Sequence, residues 1–438
     1  MLFRFLFGLK ERFVHPRLKE VLRECLPLDS GDAGVVADRA QRKLEKVLRN
    51  AAQTVPYYRK LVAEGRIDEM HPRLEQFPII GKSDIRGREE SFISSRFGKE
   101  ELERERTSGS TGEPFLFYRG KGEWDSTYAV QWRGLFRLGI RSGDRRVLVK
   151  GVDEHPNLSV RQRVRRWMYE KVNRCILIDA HFLALSDQNV LNALNRIRRY
   201  RPRYIHGYVS SIDLLAAMAE RAGIKVNDLG IIAVVTESEK LYDFQRERIS
   251  RVFGCPVAEN YGCVELGMIA QPDVDGNLCV NEDHILVEVD GDGSAVYTNL
   301  DAYAFPFIRF KNGDRITVRE KKKSKLPYRE LEKIDGRMTD TIKLPQGGSL
   351  QGFIVMHPMY KHVQWLKAYQ IYQPDIDHLI VRVVLHTVLP EEIRVQILSE
   401  MRAIVGPQID IQMEICDTIP LSKRGKRLFI CSDVKENA

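Results

Sequence analysis

Between Arg146 and Gly254 the chain alternates between two residue patterns, and few folds accept that alternation. "RVLVKGV" and "RCILIDA" read as buried strands, "YIHGY" as a short strand entering a turn, and "IIAVVTESE" as a strand running into a polar turn. The stretches between and after them carry apolar residues at helical spacing. "QNVLNALNRIRRYRP" ends on a proline stop, "SSIDLLAAMAERAGIKV" opens on a serine cap and closes on glycine, and "LYDFQRERISRVFG" is a third helix. Strand–helix–strand repeats need crossovers long enough to run strands in parallel, so the expected class is α/β with a largely parallel, helix-covered sheet. Upstream, "DRAQRKLEKVLRNAAQTV" predicts an amphipathic helix ending near Pro56.

After about residue 275 the texture changes. "HILVEVDGDGSAVYTNL" predicts a hairpin around an Asp-Gly turn, and "FPFIRF" a strand with Asp314 following it. The last hundred residues hold two strand-like runs, a helix over "PEEIRVQILSEMRAIVG" and a strand over "IDIQMEIC", a small α+β unit. The polar stretch "EKIDGRMTD" marks the boundary. The expected fold is therefore a large α/β domain (1–334) of mainly parallel sheets with a small β-subdomain, followed by a small C-terminal α+β domain (341–438).

Composition removes several function classes. The seven cysteines (25, 175, 255, 263, 279, 416 and 431) are scattered with no Cys-x-x-Cys pair, which suits reduced thiols in a cytoplasm and speaks against disulfides or structural zinc. The net charge of +9 asks for an anionic partner. No stacking module or zinc-finger spacing accompanies it, so nucleic acid is not the expected one. The N-terminal "MLFRFLFGLKERF" is too short to span a membrane; a helix capping the domain is the first reading and weak membrane-surface contact the second. "GKS" at 81–83 would need Gly at 76 to complete a Walker loop, but Gln76 stands there. "DGDGSA" has Ala295 where a calcium loop needs glycine, and no Gly-x-Ser-x-Gly elbow exists to make Ser108 or Ser110 a nucleophile. Oligomeric state is not legible.

"TSGSTGEPF" (107–115) is different. Its glycines allow close backbone approach, and its N–H groups and hydroxyls can close around phosphate oxygens. It is the first of five motifs in order: "TSGSTGEP" (107–114), "NYGCVELG" (260–267), "YAFPFIRFKNGD" (303–314), "DGRMTDTI" (335–342) and "IPLSKRGK" (419–426). Together they resemble the adenylate-forming enzymes, namely acyl-CoA synthetases, peptide-synthetase adenylation domains and luciferases. "VPYYRKL", "FPIIGKSDIR" and "YIHGYVSS" point to the phenylacetate–CoA ligase-like branch, including its capsular polysaccharide members. The resemblance spans roughly residues 45 to 430.

The resemblance implies an enzyme that uses ATP and Mg²⁺ to turn a carboxylic acid into acyl-AMP, releasing pyrophosphate. It then passes the acyl group to a thiol, coenzyme A first. A saccharide amine or hydroxyl or a carrier protein is the alternative acceptor, and a non-catalytic nucleotide-binding scaffold the alternative of another class. Thr107, Ser108, Gly109, Ser110, Thr111 and Gly112 would wrap the pyrophosphate, with Glu265 and Thr111 on Mg²⁺. Asp314 would take the ribose hydroxyls, Arg337 the ribose or α-phosphate, and Lys426, rather than Lys423, the carboxylate and α-phosphate. Thr236, Glu237, Ser238, Asn260, Tyr261 and Gly262 would face the nucleotide, and His206, Tyr208 and Tyr261 the acyl group. Trp124 and Trp132 line the pocket or pack a helix. Residues 335–340 would form a hinge on which the small domain closes for adenylation and turns for transfer. One departure stands out: Phe115 occupies the place after the Pro where many members carry Lys.

Overall fold

A computed structural model describes residues 2–107, 115–150, 159–180, 183, 187–337, 341–345, 349–351, 355–356, 358–359, 362, 365–419 and 428–434. The chain forms two compact units, Met1–Ile334 and Asp335–Ala438.

The first unit is built around a five-stranded parallel sheet. Its spatial order is Cys175–Asp179, Arg146–Lys150, Tyr204–Tyr208, Ala233–Glu237, Val257–Glu259. Alternation along each strand sorts the side chains between two helical layers. Val147, Val149, Ile205 and Val234 pack under the helices Asp187–Tyr200, Val209–Arg221 and Asp243–Phe253. Tyr204, Ala233, Val235 and Ala258 pack on the other face against Trp132 and Leu135 of the helix Trp124–Arg137. Phe7 joins that second layer from the N-terminal helix Leu2–Val14, which leaves Phe13 and Val14 exposed. Among the described residues no helix is long and apolar enough to cross a membrane.

A seven-stranded sheet follows, with Ile285–Val289, Ser294–Asn299 and Phe310–Val318 at one end and Gly267–Pro272 and Tyr261–Cys263 at the other. Its described pairings are antiparallel. The hairpin Leu102–Thr107/Phe115–Gly120 stands apart, with Thr107 opposite Phe115 at its base. Local signals explain the boundaries upstream. Asp32 accepts from the Gly34 N–H at 2.6 Å to open the helix Ala33–Thr54. Val55 is extended because Pro56 follows, and Pro56 starts the next helix.

Two local expectations fail. Asp314 does not follow a strand but lies inside one, because Phe310–Val318 begins where the apolar run ends. Pro306 lacks a ladder donor, and Arg309 takes a positive φ of 48°, so the segment before Phe310 cannot be regular strand. The helix Val209–Arg221 has no side-chain cap from its serines; Ser210 instead donates N–H and hydroxyl to the Glu239 carboxylate at 2.7 and 3.0 Å.

The second unit holds a four-stranded sheet ordered Asp410–Ile415, His378–Leu385, Leu366–Asp375, Ile430–Ser432. The central hairpin is antiparallel and both outer strands pair parallel to it. The helix Glu391–Val405 buries Ile397, Met401 and Val405.

Candidate active site

The two larger sheets of the first unit meet at one short segment. Asn260 N–H bonds the Thr236 carbonyl at 2.9 Å, at the C-terminal edge of the parallel sheet. Tyr261, the next residue, already belongs to the antiparallel sheet. Its hydroxyl lies 2.7 Å from the Tyr297 hydroxyl and donates to Asp314 Oδ2 at 2.7 Å. Asn312 Nδ2 donates to the same oxygen at 2.6 Å, and Asn312 Oδ1 accepts from the Asp314 N–H. Burial, then the neighbouring Asp314 charge, push the Tyr261 phenol well above its ordinary value. It is therefore a donor at any physiological pH, and Asp314 is held in orientation by two donors. Gly262 tolerates no side chain, since a Cβ would stand 2.3 Å from the Gly267 carbonyl oxygen.

Four residues beyond Tyr261, Glu265 is almost fully buried and ion-paired to Lys82 Nζ at 2.6 Å. Burial pulls its carboxyl upward, but the Lys82 ammonium and its hydrogen bond outweigh that and hold it below the usual range. The Cys263 thiol beside it is pushed well above its ordinary value, by burial first and then by the Glu265 charge. It is a protonated neighbour, not a nucleophile. Lys82 Nζ also stands 5.4 Å over the Phe115 ring. The base of the Ser/Thr/Gly hairpin, Glu265 and Lys82 are thus immediate neighbours, and Phe115 stacks in turn at 6.3 Å on Phe310, which opens the strand carrying Asp314.

The parallel sheet offers a second feature. Its chain order reverses between Arg146–Lys150 and Tyr204–Tyr208, since the connection from the first goes to one side and the next strand returns to the other. Open α/β sheets bind ligands in the crevice at the carboxyl ends of such strands. Here Glu237 Oε2 lies 2.8 Å from His206 Nε2, and Glu237 Oε1 lies 2.7 Å from Lys150 Nζ. Burial raises the Glu237 carboxyl, and His206 and Lys150 together bring it well below the ordinary value. Gly207 lets the strands approach, because a Cβ would come 2.0 Å from the Val149 carbonyl oxygen. A cavity of about 490 Å³ opens here, lined by Tyr128, Trp132, Arg146, Lys150, Tyr169 and His206 among others. A second cavity of equal volume, rimmed by Arg17, Lys46, Arg49, Arg96 and Lys121, contains none of the residues singled out from sequence.

The structure therefore brings Glu265, Tyr261, Gly262, Asn260 and Asp314 to the sheet junction, and His206 and Glu237 to the reversal. Asn260 Nδ2 is buried without a hydrogen-bond partner. Thr236 is fully buried and its hydroxyl donates to the Ala258 carbonyl, so its side chain serves the sheet. Ser238 takes a positive φ of 71° just after the strand, and Tyr208 is buried. Thr107 closes the hairpin strand with its backbone. Ser108, Gly109, Ser110, Thr111, Gly112, Lys423 and Lys426 lie outside the described residues, as does the side chain of Arg337, whose backbone ends the strand Glu330–Arg337. Trp132 lines the cavity, whereas Trp124 stacks 4.0 Å from the Arg119 guanidinium. Sequence reasoning missed Lys82 and Lys150. Lys82 sits in the "GKS" set aside as a broken Walker loop; nothing local in the sequence joins it to an acid 183 positions later.

Known proteins share the fold of this chain. A family model of the CapK C-terminal domain matches residues 345–433. Protein CapK of Staphylococcus aureus is 22% identical over 98% of this chain and 94% of its own. Phenylacetate–coenzyme A ligase of Pseudomonas putida is 23% identical over 91% of this chain and 94% of its own. Among solved structures, a 2-hydroxyisobutyryl-CoA ligase in the postadenylation state superposes with a TM-score of 0.71 at 17% identity, covering 90% of this chain and 89% of that one.

Proposed function

We infer that this chain, a member of the adenylate-forming superfamily in its phenylacetate–CoA ligase-like branch, activates a carboxylic acid with ATP and transfers the acyl group to the thiol of coenzyme A. The observation that carries the reading is the convergence on one junction of the hairpin base, the Lys82–Glu265 pair and the donor-held Asp314. Attack of a carboxylate oxygen on the α-phosphorus with in-line loss of pyrophosphate is a problem of positioning and charge, which is what such a junction supplies.

Each group has one task. Thr107 to Gly112 would cradle the leaving phosphates. Asp314, already oriented by Tyr261 and Asn312, would accept the ribose hydroxyls. Glu265 is one hard carboxylate, the number Mg²⁺ takes when phosphates complete its coordination, so the residue fits that ion. Bound there with Thr111, Mg²⁺ would neutralise triphosphate charge. Lys82, beside Phe115, would supply a cation near the place where many members carry a lysine. Arg337 and Lys426 would complete the constellation from the small domain, closing over the hinge 335–340. The acid would lie in the cavity at the strand reversal, its reacting carboxylate at the His206–Lys150 end.

The test is carboxylate-dependent exchange of labelled pyrophosphate into ATP across aryl, fatty, hydroxy and amino acids. Exchange with one class supports the reading; silence across the panel overturns it in favour of a nucleotide-binding scaffold. The motif resemblance to the capsular polysaccharide members keeps a second acceptor reading, a saccharide amine or hydroxyl or a carrier protein. AMP release that needs CoA supports the thiol; release that needs a saccharide or carrier supports the second.

A further inference from the structure

Arg133, with no exposed surface, meets Asp283 at 2.7 Å, and Arg137 meets Asp29 at 2.7 Å. The buried Arg119 gives its Nη2 to the Val264 carbonyl and lies over the Trp124 ring. Arg146, half-buried, is placed differently from all three. Its side chain lines the cavity at the strand reversal, its Nε is shut off from solvent without a hydrogen-bond partner, and its Nη1 reaches the Tyr204 hydroxyl at 3.5 Å. The Cys175 thiol beside it is neutral, since burial pushes it up to about 11. Among the described residues no carboxylate pairs with Arg146. Glu11, the acid at this end, approaches Lys10 and accepts from the Tyr128 hydroxyl instead. A guanidinium on a cavity wall with no carboxylate beside it is a place an anionic ligand can fill.

Arg146 opens the strand that Lys150 closes, and the two point to the same face. Four residues of strand set their backbones about 13 Å apart. Lys150 is already neutralised by Glu237 at the carboxyl ends, where the nucleotide is placed, so the free charge sits at the far end of the cavity. The rings of Tyr128, Trp132 and Tyr169 line the same cavity. Resting on the adenylation reading above, we propose that the carboxylic acid substrate is a flat, rigid acid carrying a second anionic group opposite its reacting carboxyl, and that Arg146 is the residue that selects it.

Trp132 provides a readout that needs no catalysis. Titration of 4-carboxycinnamate and 4-methylcinnamate, followed by tryptophan fluorescence, is expected to show the diacid binding at least roughly tenfold more tightly, as a charge-assisted pair would give. The signal is lost in Trp132→Phe. Arg146→Met is expected to bring the two affinities within about threefold by weakening only the diacid; Arg146→Lys, which keeps the charge and guards against misfolding of the first variant, should retain part of the preference. Equal wild-type affinities, no binding of either probe, or a preference that survives Arg146→Met overturns the proposal. A preference that depends on Arg146 without any pyrophosphate exchange sustains the selectivity and overturns the ligase reading instead.

Discussion

Replacing Lys82 by methionine removes the cation that, among the described residues, pairs with the nearly inaccessible Glu265 carboxylate. At 2.6 Å and an effective dielectric near 20, the gross attraction is about 6 kcal/mol, most of it returned as desolvation. Breaking a buried pair from one side ordinarily costs about 3–5 kcal/mol. Lys82 keeps a quarter of its side chain in contact with water, so partial rehydration of Glu265 reduces the expected loss to about 2–3 kcal/mol. The sign with pH follows from the direction of the Glu265 shift. Its folded carboxyl is held below the unfolded value, so the pair stabilises fully above the unfolded pKa and fades as pH falls through the folded one. The gap between wild type and Lys82→Met should therefore be widest near neutrality and shrink in acid. Denaturant unfolding of the first unit's transition, run for Lys82→Met, Glu265→Gln and the double variant, should give a coupling of about 2 kcal/mol. Single effects that add within about 0.5 kcal/mol would refute the reasoning, for the contact would then hold nothing together.

Other outcomes can be read with simpler assays. Gly207→Ala should lose at least about 3 kcal/mol or fail to fold, because the new Cβ meets strand backbone that cannot move aside; a thermal melt decides it. Asp314→Asn should weaken ATP binding by roughly 10- to 100-fold, the worth of charged hydrogen bonds to ribose, with unfolding little changed; calorimetric titration checks it. Tyr261→Phe should cost about 1–2 kcal/mol of stability, since it strips a buried hydroxyl from Tyr297 and Asp314. Lys426→Ala should abolish pyrophosphate exchange while ATP still binds; exchange at the wild-type rate would move that role to Lys423 or elsewhere.

Much of the architecture was local information. Runs such as "RVLVKGV" and "AVVTE", with helical spacing between them, can satisfy their backbone and cover their faces in essentially one way, so the α/β core was legible from pattern alone. Hydrogen-bond and turn chemistry explains where local reading failed. The strand around Asp314 starts later than its apolar residues because a proline and a left-handed arginine precede it. The Glu-Ser-Glu turn after the fourth strand sends Glu239 to Ser210, a capping contact between residues 29 positions apart.

Motif residues carry their chemical types in the sequence: a short acid after glycine, a hydroxyl- and glycine-rich run, an acid four residues after a tyrosine. Their partners do not. Lys82 meets Glu265, Lys150 meets Glu237, and Arg146 meets no acid among the described residues, only because two sheets join at Asn260 and the parallel sheet reverses its order between two strands. Charge pairing acts over a few ångströms in space and is blind to distance along the chain. Residue identity thus set which groups could act, and tertiary structure alone decided which of the described charges are paired and which are not.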